Sequence, residues 1–98
     1  MSVYIIAQIS IHDRGEYEKY SGGFLEVFGR FKGDLLAVSE DPIVVEGDWP
    51  YTRTVLMRFP SADEARRWYE SPEYQMIAQH RFRGSKTNAV IVEGLPQS

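Results

Sequence analysis

The side chains that could do chemistry are few and of three kinds. His12 and His80 are the chain's two imidazoles, the groups that titrate nearest neutral pH and so serve as general bases. They lie 68 positions apart, neither with a second His at helical spacing. A metal site asks for three or four converging ligands, and cysteine is absent, so no metal is expected. The phenols of Tyr17, Tyr20 and Tyr74 are hydrogen-bond donors. Their helical spacing also suits a plain core stripe, and Tyr20 is the strongest ligand candidate because a buried phenol still needs a polar partner. The third kind is arginine, whose planar fork binds carboxylate or phosphate through two hydrogen bonds.

Arg53 sits at a strand start beside the loop Gly47-Asp48-Trp49-Pro50 and is the better placed anion partner. Arg81 either shares that role or, with Arg83 and Lys86, decorates a helix end where cations suit the dipole. Arg58 reads as a structural strand residue paired with Glu46 or Glu93. A loop Trp packs on a partner or lids a pocket, so Trp49 and Asp48 join the candidates, with a dimer contact and an Asx turn as the alternatives. Trp68 and Tyr74 complete the ligand-binding set. In an enzyme, His12 would be the base, Tyr20 the donor, and Arg53 or Arg81 would orient a carboxylate. In a binding module the same cleft needs no base. A structural dimer with a filled cleft is the third reading. Phosphate-binding glycine loops, the GxSxG elbow and HExxH are missing from the sequence, so no nucleotide cofactor or serine hydrolase chemistry is expected.

Residues 3–11 are β-branched and aromatic and read as a strand. Asp13 with Glu16 forms a capping-box pattern that opens a helix, whose apolar stripe Tyr17, Tyr20, Phe24, Val27 or Phe28, and Phe31 carries it to about Phe31. Gly22-Gly23 is a place where it could break, and Gly33 is placed as its C-terminal cap. Residues 34–38 read as a strand, 43–46 as a short strand, and 52–59 as a strand. Ser61 with Glu64 opens a second helix that puts Ala62, Ala65, Trp68 and Tyr69 on one face. Ser71-Pro72 opens a third, over about 72–82. Residues 88–93 form the last strand and 94–98 a tail.

The order is the split βαββαβ of ferredoxin-like α+β folds: one antiparallel sheet with helices on one face. With 98 residues, 43% of them hydrophobic, the chain is long enough for one core and too short for two, so residues 1–98 are a single domain. The net charge of −3 speaks against a nucleic-acid partner. It is unevenly spread: residues 51–98 carry seven bases, six of them Arg, against five acids. The amino terminus lacks a signal-peptide pattern and no apolar run approaches the roughly 20 residues of a membrane span, so a cytoplasmic protein without membrane contact is expected.

Strands with one face in water alternate apolar and polar residues. Here Val3, Ile5, Ala7 and Ile9 oppose Tyr4, Ile6 and Gln8; Val55, Met57 and Phe59 oppose Thr54, Leu56 and Arg58; Val90 and Val92 oppose Ala89, Ile91 and Glu93. Both faces are substantially apolar, and leaving such side chains wet forgoes ~1.5–3 kcal/mol each. A second copy packed about a twofold axis covers them most simply. A homodimer through the helix-free face is therefore expected.

The chain resembles the domain of unknown function 1330 family, within the dimeric α+β barrel superfamily, over nearly its whole length. The resemblance rests on the opening strand with Tyr17 and Tyr20, Gly33 with Leu36-Ala37, Glu46-Gly47-Asp48-Trp49, Phe59-Pro60-Ser61, Ala65, Trp68, Ser71-Pro72-Glu73-Tyr74, Arg81 and Val92-Glu93-Gly94. Where family members often carry a basic residue and then Gly after the Leu-Ala pair, this chain has Val38-Ser39. The polar candidates above point to a small, planar or anionic metabolite taken without a cofactor; the resemblance implies a ferredoxin-like subunit, a dimer with face-to-face sheets, and a cleft between sheet and helices. It implies no particular reaction: the wider superfamily includes cofactor-free monooxygenases, isomerases, haem-handling enzymes and binding modules.

Overall fold

Four antiparallel strands and three helices follow in the order β1 (Val3–Ile11), α1 (Arg14–Phe28), β2 (Asp34–Ser39), β3 (Arg53–Phe59), α2 (Ala62–Tyr69), α3 (Pro72–Gly84) and β4 (Ser85–Glu93). The computed structural model describes residues 1–96; of the expected tail, 97 and 98 lie outside the described residues. The sheet order is β2-β3-β1-β4, the ferredoxin-like arrangement. No helix of the described residues is long and apolar enough to cross a membrane.

The helix starts follow from their caps. Asp13, Ser61 and Ser71 each accept a hydrogen bond from the backbone N–H three residues on, which satisfies an otherwise orphaned donor. Helix α1 passes Gly22-Gly23 unbroken and ends at Phe28, three residues before the expected limit. The amides of Arg30 and Phe31 there bond to carbonyls three residues back and tighten the chain into turns. Gly33 is therefore not the cap. A Cβ on it would stand 2.6 Å from the ring tips of both Phe28 and Phe59, so its place is set by close packing under α1's end. A second close approach pins α1's start. A Cβ on Gly84 would lie 2.9 Å from the Tyr17 amide nitrogen and 3.0 Å from the Asp13 carbonyl, and the Gly84 carbonyl accepts from the amides of His12 and Asp13. Helix α3 runs straight into β4, which thus begins at Ser85 rather than at Asn88.

The expected strand over 43–46 does not form; residues 40–52 are a loop. Ile43 and Val45 are 92% and 95% exposed. β-branched residues favour strands only against a neighbour, and this segment pairs with neither edge strand of the sheet, β2 or β4. Arg58 donates to Asp34 at 3.0 Å, its cross-strand partner in register, instead of to Glu46 or Glu93.

The core lies between the helices and one sheet face. Val3, Ile5, Ala7 and Ile9 of β1 and Val55, Met57 and Phe59 of β3 are buried there against Tyr17, Tyr20, Val27 and Phe28 of α1 and Ala65, Trp68, Tyr74 and Ala78 of α2 and α3. The register puts Tyr4, Ile6, Ala37, Leu56, Val90 and Val92 together on the opposite face. Beside this apolar band runs a polar row of Ser39, Thr54, Gln8 and Asn88. No helix of the described residues covers either row, and Val90 and Val92 are 56% and 42% exposed.

Candidate functional site

Packing on the helix side is incomplete. A cavity of about 200 Å³ lies between the sheet and the helices, floored by Ile5, Ala7, Ile9, Val55 and Met57. Its roof is aromatic: Tyr17, Tyr20 and Phe24 from α1, Trp68 from α2 and Tyr74 from α3. Each comes from a helix face whose three- and four-residue spacing turns it toward the sheet. The cavity opens at β2. A bulge between Leu35 and Ala37 lets Leu35 and Val38 both face the helix side, yet the helices leave them 37% and 42% exposed.

The polar groups of the cavity are phenols and guanidiniums. The Tyr20 and Tyr74 hydroxyls are 2.8 Å apart and tie α1 to α3. Two protons belong to that pair and one serves the bond between them, so one O–H remains to donate. Burial holds both phenols above their ordinary pKa, Tyr20 well above it. Burial likewise raises Tyr17, against the pull of Arg53 and Arg81. All three therefore stay protonated near neutral pH and act as donors. Arg53 lines the cavity with its guanidinium over the Tyr17 ring, 5.7 Å from the centroid. Its Nη1 donates to Glu40 at 2.8 Å, and Arg14 reaches the same Glu40 oxygen at 3.0 Å. These two hydrogen bonds, Arg14's first, hold the Glu40 carboxyl below its usual pKa. Arg81 also lines the cavity and is 7% exposed. The indole N–H of Trp68 is buried without a hydrogen-bond acceptor among the described residues.

Of the candidates from sequence, the fold thus brings Tyr20, Arg53, Trp68, Tyr74 and Arg81 to one cavity. It does not bring the other three. His12 is exposed at the β1–α1 junction, held by its own backbone amide to Gly84. Asp48 is exposed in the 40–52 loop. Trp49 donates its indole N–H to Thr54 at 2.9 Å, and Thr54 points to the helix-free face, so Trp49 sits across the sheet from the cavity. No Asp, Glu or His lines the cavity among the described residues. Ser21 and Thr87 do line it and were not singled out from sequence; Ser21 follows Tyr20 on α1, and Thr87 is the register partner of Ile9.

His80 lies outside the cavity in a surface cluster. Its Nδ1 is 2.6 Å from Glu16 Oε2, which also accepts from Arg83 at 3.0 Å. The His80 hydrogen bond first, then Arg83, hold the Glu16 carboxyl down to about 2 from its ordinary 4.5, against a partial opposing effect of burial. A carboxylate with a depressed folded pKa contributes stability above its unfolded pKa and loses it as pH falls through the folded value. The α1–α3 contact should therefore weaken between about pH 4.5 and 2. Thermal unfolding followed from pH 7 to pH 2.5 should show the melting advantage of wild type over Glu16→Gln shrinking across that window. An advantage that stays constant with pH would remove Glu16 from this role. No group of three or more His, Cys, Asp or Glu side chains could hold a metal among the described residues.

Solved structures share this architecture at low identity. The RPA0582 protein of unknown function from Rhodopseudomonas palustris superposes with a TM-score of 0.78 at 13% identity, covering 98% of this chain and 84% of that one. SnoaB of Streptomyces nogalater, described as a cofactor-independent oxygenase, gives 0.70 at 15% identity, covering 98% of this chain and 95% of that one. A protein of unknown function from Thermobifida fusca, described as dimeric and ferredoxin-like, gives 0.69 at 16% identity over 93% of this chain and 89% of that one. No curated protein matches the chain in sequence. Residues 2–95 match the family model DUF1330, described as a domain of unknown function, and with so much of its length matched the chain belongs to that family.

Proposed function

We propose that the chain is a homodimeric binding protein for a small metabolite, taken without a cofactor into the cleft between sheet and helices. The observation that carries this reading is the cavity of about 200 Å³. A dry, engineered cavity of about 150 Å³ holds benzene, so this one suits a one- or two-ring molecule. Concave, apolar sites with a few convergent polar groups are the usual form of a ligand site, and Tyr20, Tyr74, Arg53 and Arg81 are those groups here. Trp68 forms part of the wall. Binding is favoured over base-catalysed turnover because His12 stands outside the cleft and no carboxylate or imidazole lines it among the described residues. Dimerisation through the helix-free face is supported by its apolar band and by neighbours described as dimeric. Trp49, bonded to Thr54 on that face, then belongs to the subunit contact.

A thermal-shift screen of small aromatic and aliphatic metabolites against the full chain tests the reading, with each hit checked for turnover by mass spectrometry. A ligand at a hundred times its Kd adds about 2.7 kcal/mol to the bound fold, several degrees of melting temperature in a domain of this size. Hits that come back unchanged support a binding module. Chemical conversion of a hit would move the cleft to the enzyme reading, and a screen without any stabiliser would overturn both.

A further inference from the structure

Arginines elsewhere in the chain have partners or stand in solvent. Arg14, Arg30, Arg53, Arg58, Arg67 and Arg83 each lie beside a carboxylate, and Arg66 is exposed. Arg81 is the exception. It is 93% buried by its 7% exposure, and no carboxylate lies within ion-pairing distance of it among the described residues. Buried charges are ordinarily paired, since an isolated one loses its hydration with nothing in return.

What surrounds Arg81 is aromatic. Its guanidinium carbon stands 5.6 Å from the Tyr20 ring centroid and 4.8 Å from that of Phe82. Rings of this kind hold a guanidinium by its charge, and the neutral Tyr74 and Tyr69 hydroxyls, which bring no countercharge, are the side-chain acceptors near it. Arg53, the other guanidinium of the cavity, already has a carboxylate beside it: Glu40 accepts from it at 2.8 Å and is shared with Arg14. Among the described residues, Arg81 is thus the cavity guanidinium with no carboxylate beside it, set in an aromatic wall.

Resting on the cleft reading above, we infer that the ligand is an aromatic monocarboxylate whose anion pairs with Arg81 while its ring lies among Tyr20, Phe24, Trp68 and Tyr74. The planar fork of Arg81 matches a carboxylate's two oxygens, and the spare O–H of the Tyr20–Tyr74 pair lies on the same wall to donate to either. A neutral ring leaves that cation unpaired.

The test compares 2-naphthoate with its uncharged isostere 2-naphthamide by titration calorimetry, on wild type and on Arg81→Gln. Wild type should bind the naphthoate at least about tenfold more tightly, as expected for a charge-assisted pair. Arg81→Gln should close the gap, and Arg81→Lys should keep part of it. Equal binding of the two probes by wild type would overturn the inference and leave the cleft reading intact. A gap that survives in a folded Arg81→Gln would also overturn it, since Arg81 would then not be the anion's partner. Should Arg81→Gln fail to fold, the wild-type pair and Arg81→Lys decide. Binding of neither probe overturns the inference; the broader metabolite screen then judges the cleft separately.

Discussion

Trp68→Ala should cost about 3–5 kcal/mol of unfolding free energy, the range for deleting a buried Trp side chain. The indole is 2% exposed and its ring lies within 6.2 Å, centroid to centroid, of those of Phe24, Phe28, Phe59, Tyr69 and Tyr74. It joins α2 to both other helices and to β3 at once, so its loss leaves a void no single neighbour can fill. Small domains hold only 5–15 kcal/mol in all, and the variant should melt well over ten degrees lower. Trp68→Phe should be far milder. It keeps a ring in place and removes the indole N–H that has no acceptor, a group whose burial itself costs about 1–3 kcal/mol. Urea unfolding at fixed protein concentration measures both. A loss below about 1.5 kcal/mol for Trp68→Ala would mean that the rings do not depend on it.

Leu56→Asp should turn a dimer into folded monomers. Leu56 lies mid-sheet on the helix-free face, between its register partners Ile6 and Ala37. About a twofold axis the substitution places two carboxylates in one apolar interface, each without a cation, and an uncompensated buried charge costs several kcal/mol. The core on the other face is untouched, so circular dichroism should keep its native form. Light scattering at micromolar concentration should report about twice the 11.3 kDa chain mass for wild type and the single mass for the variant. A wild type of single mass would remove the dimer from the proposal, and a dimeric Leu56→Asp would place the contact elsewhere.

Local signals in the sequence were legible wherever the physics is local. Asp13, Ser61 and Ser71 announce helix starts because a cap needs only its own next turn. Tyr20, Trp68 and Tyr74 each turn toward the sheet because helical spacing puts them on the inner faces of α1, α2 and α3; that the three faces meet in one wall is the work of packing. Strand alternation likewise sorted β1 and β3 into two faces. Residues 43–46 misled because strand propensity is realised only beside another strand, and periodicity says nothing of whether one is near. Gly33 looked like a cap by position, while its real constraint comes from Phe59, far away in sequence. The partner of Arg58 depended on register, which no single strand reveals. Arg81 was ambiguous for a related reason: a cation near a helix end is ordinarily solvated, and only the packing of α1 on α3 encloses this one. His12 stood out by its chemistry, yet the fold turns it to solvent.

Helix α1 is held at both ends by the absence of a side chain, at Gly84 against its first turn and at Gly33 under its last ring. It behaves as a fixed beam, and the frame of the cleft tolerates little substitution. Ser21 and Leu25 on that beam, with Leu35 and Val38 on the strand opposite, line the opening without carrying the frame. If the cleft binds as proposed, its ligand preference should change through those four positions at small cost to folding, so two proteins built on this beam would accept different molecules on superposable backbones.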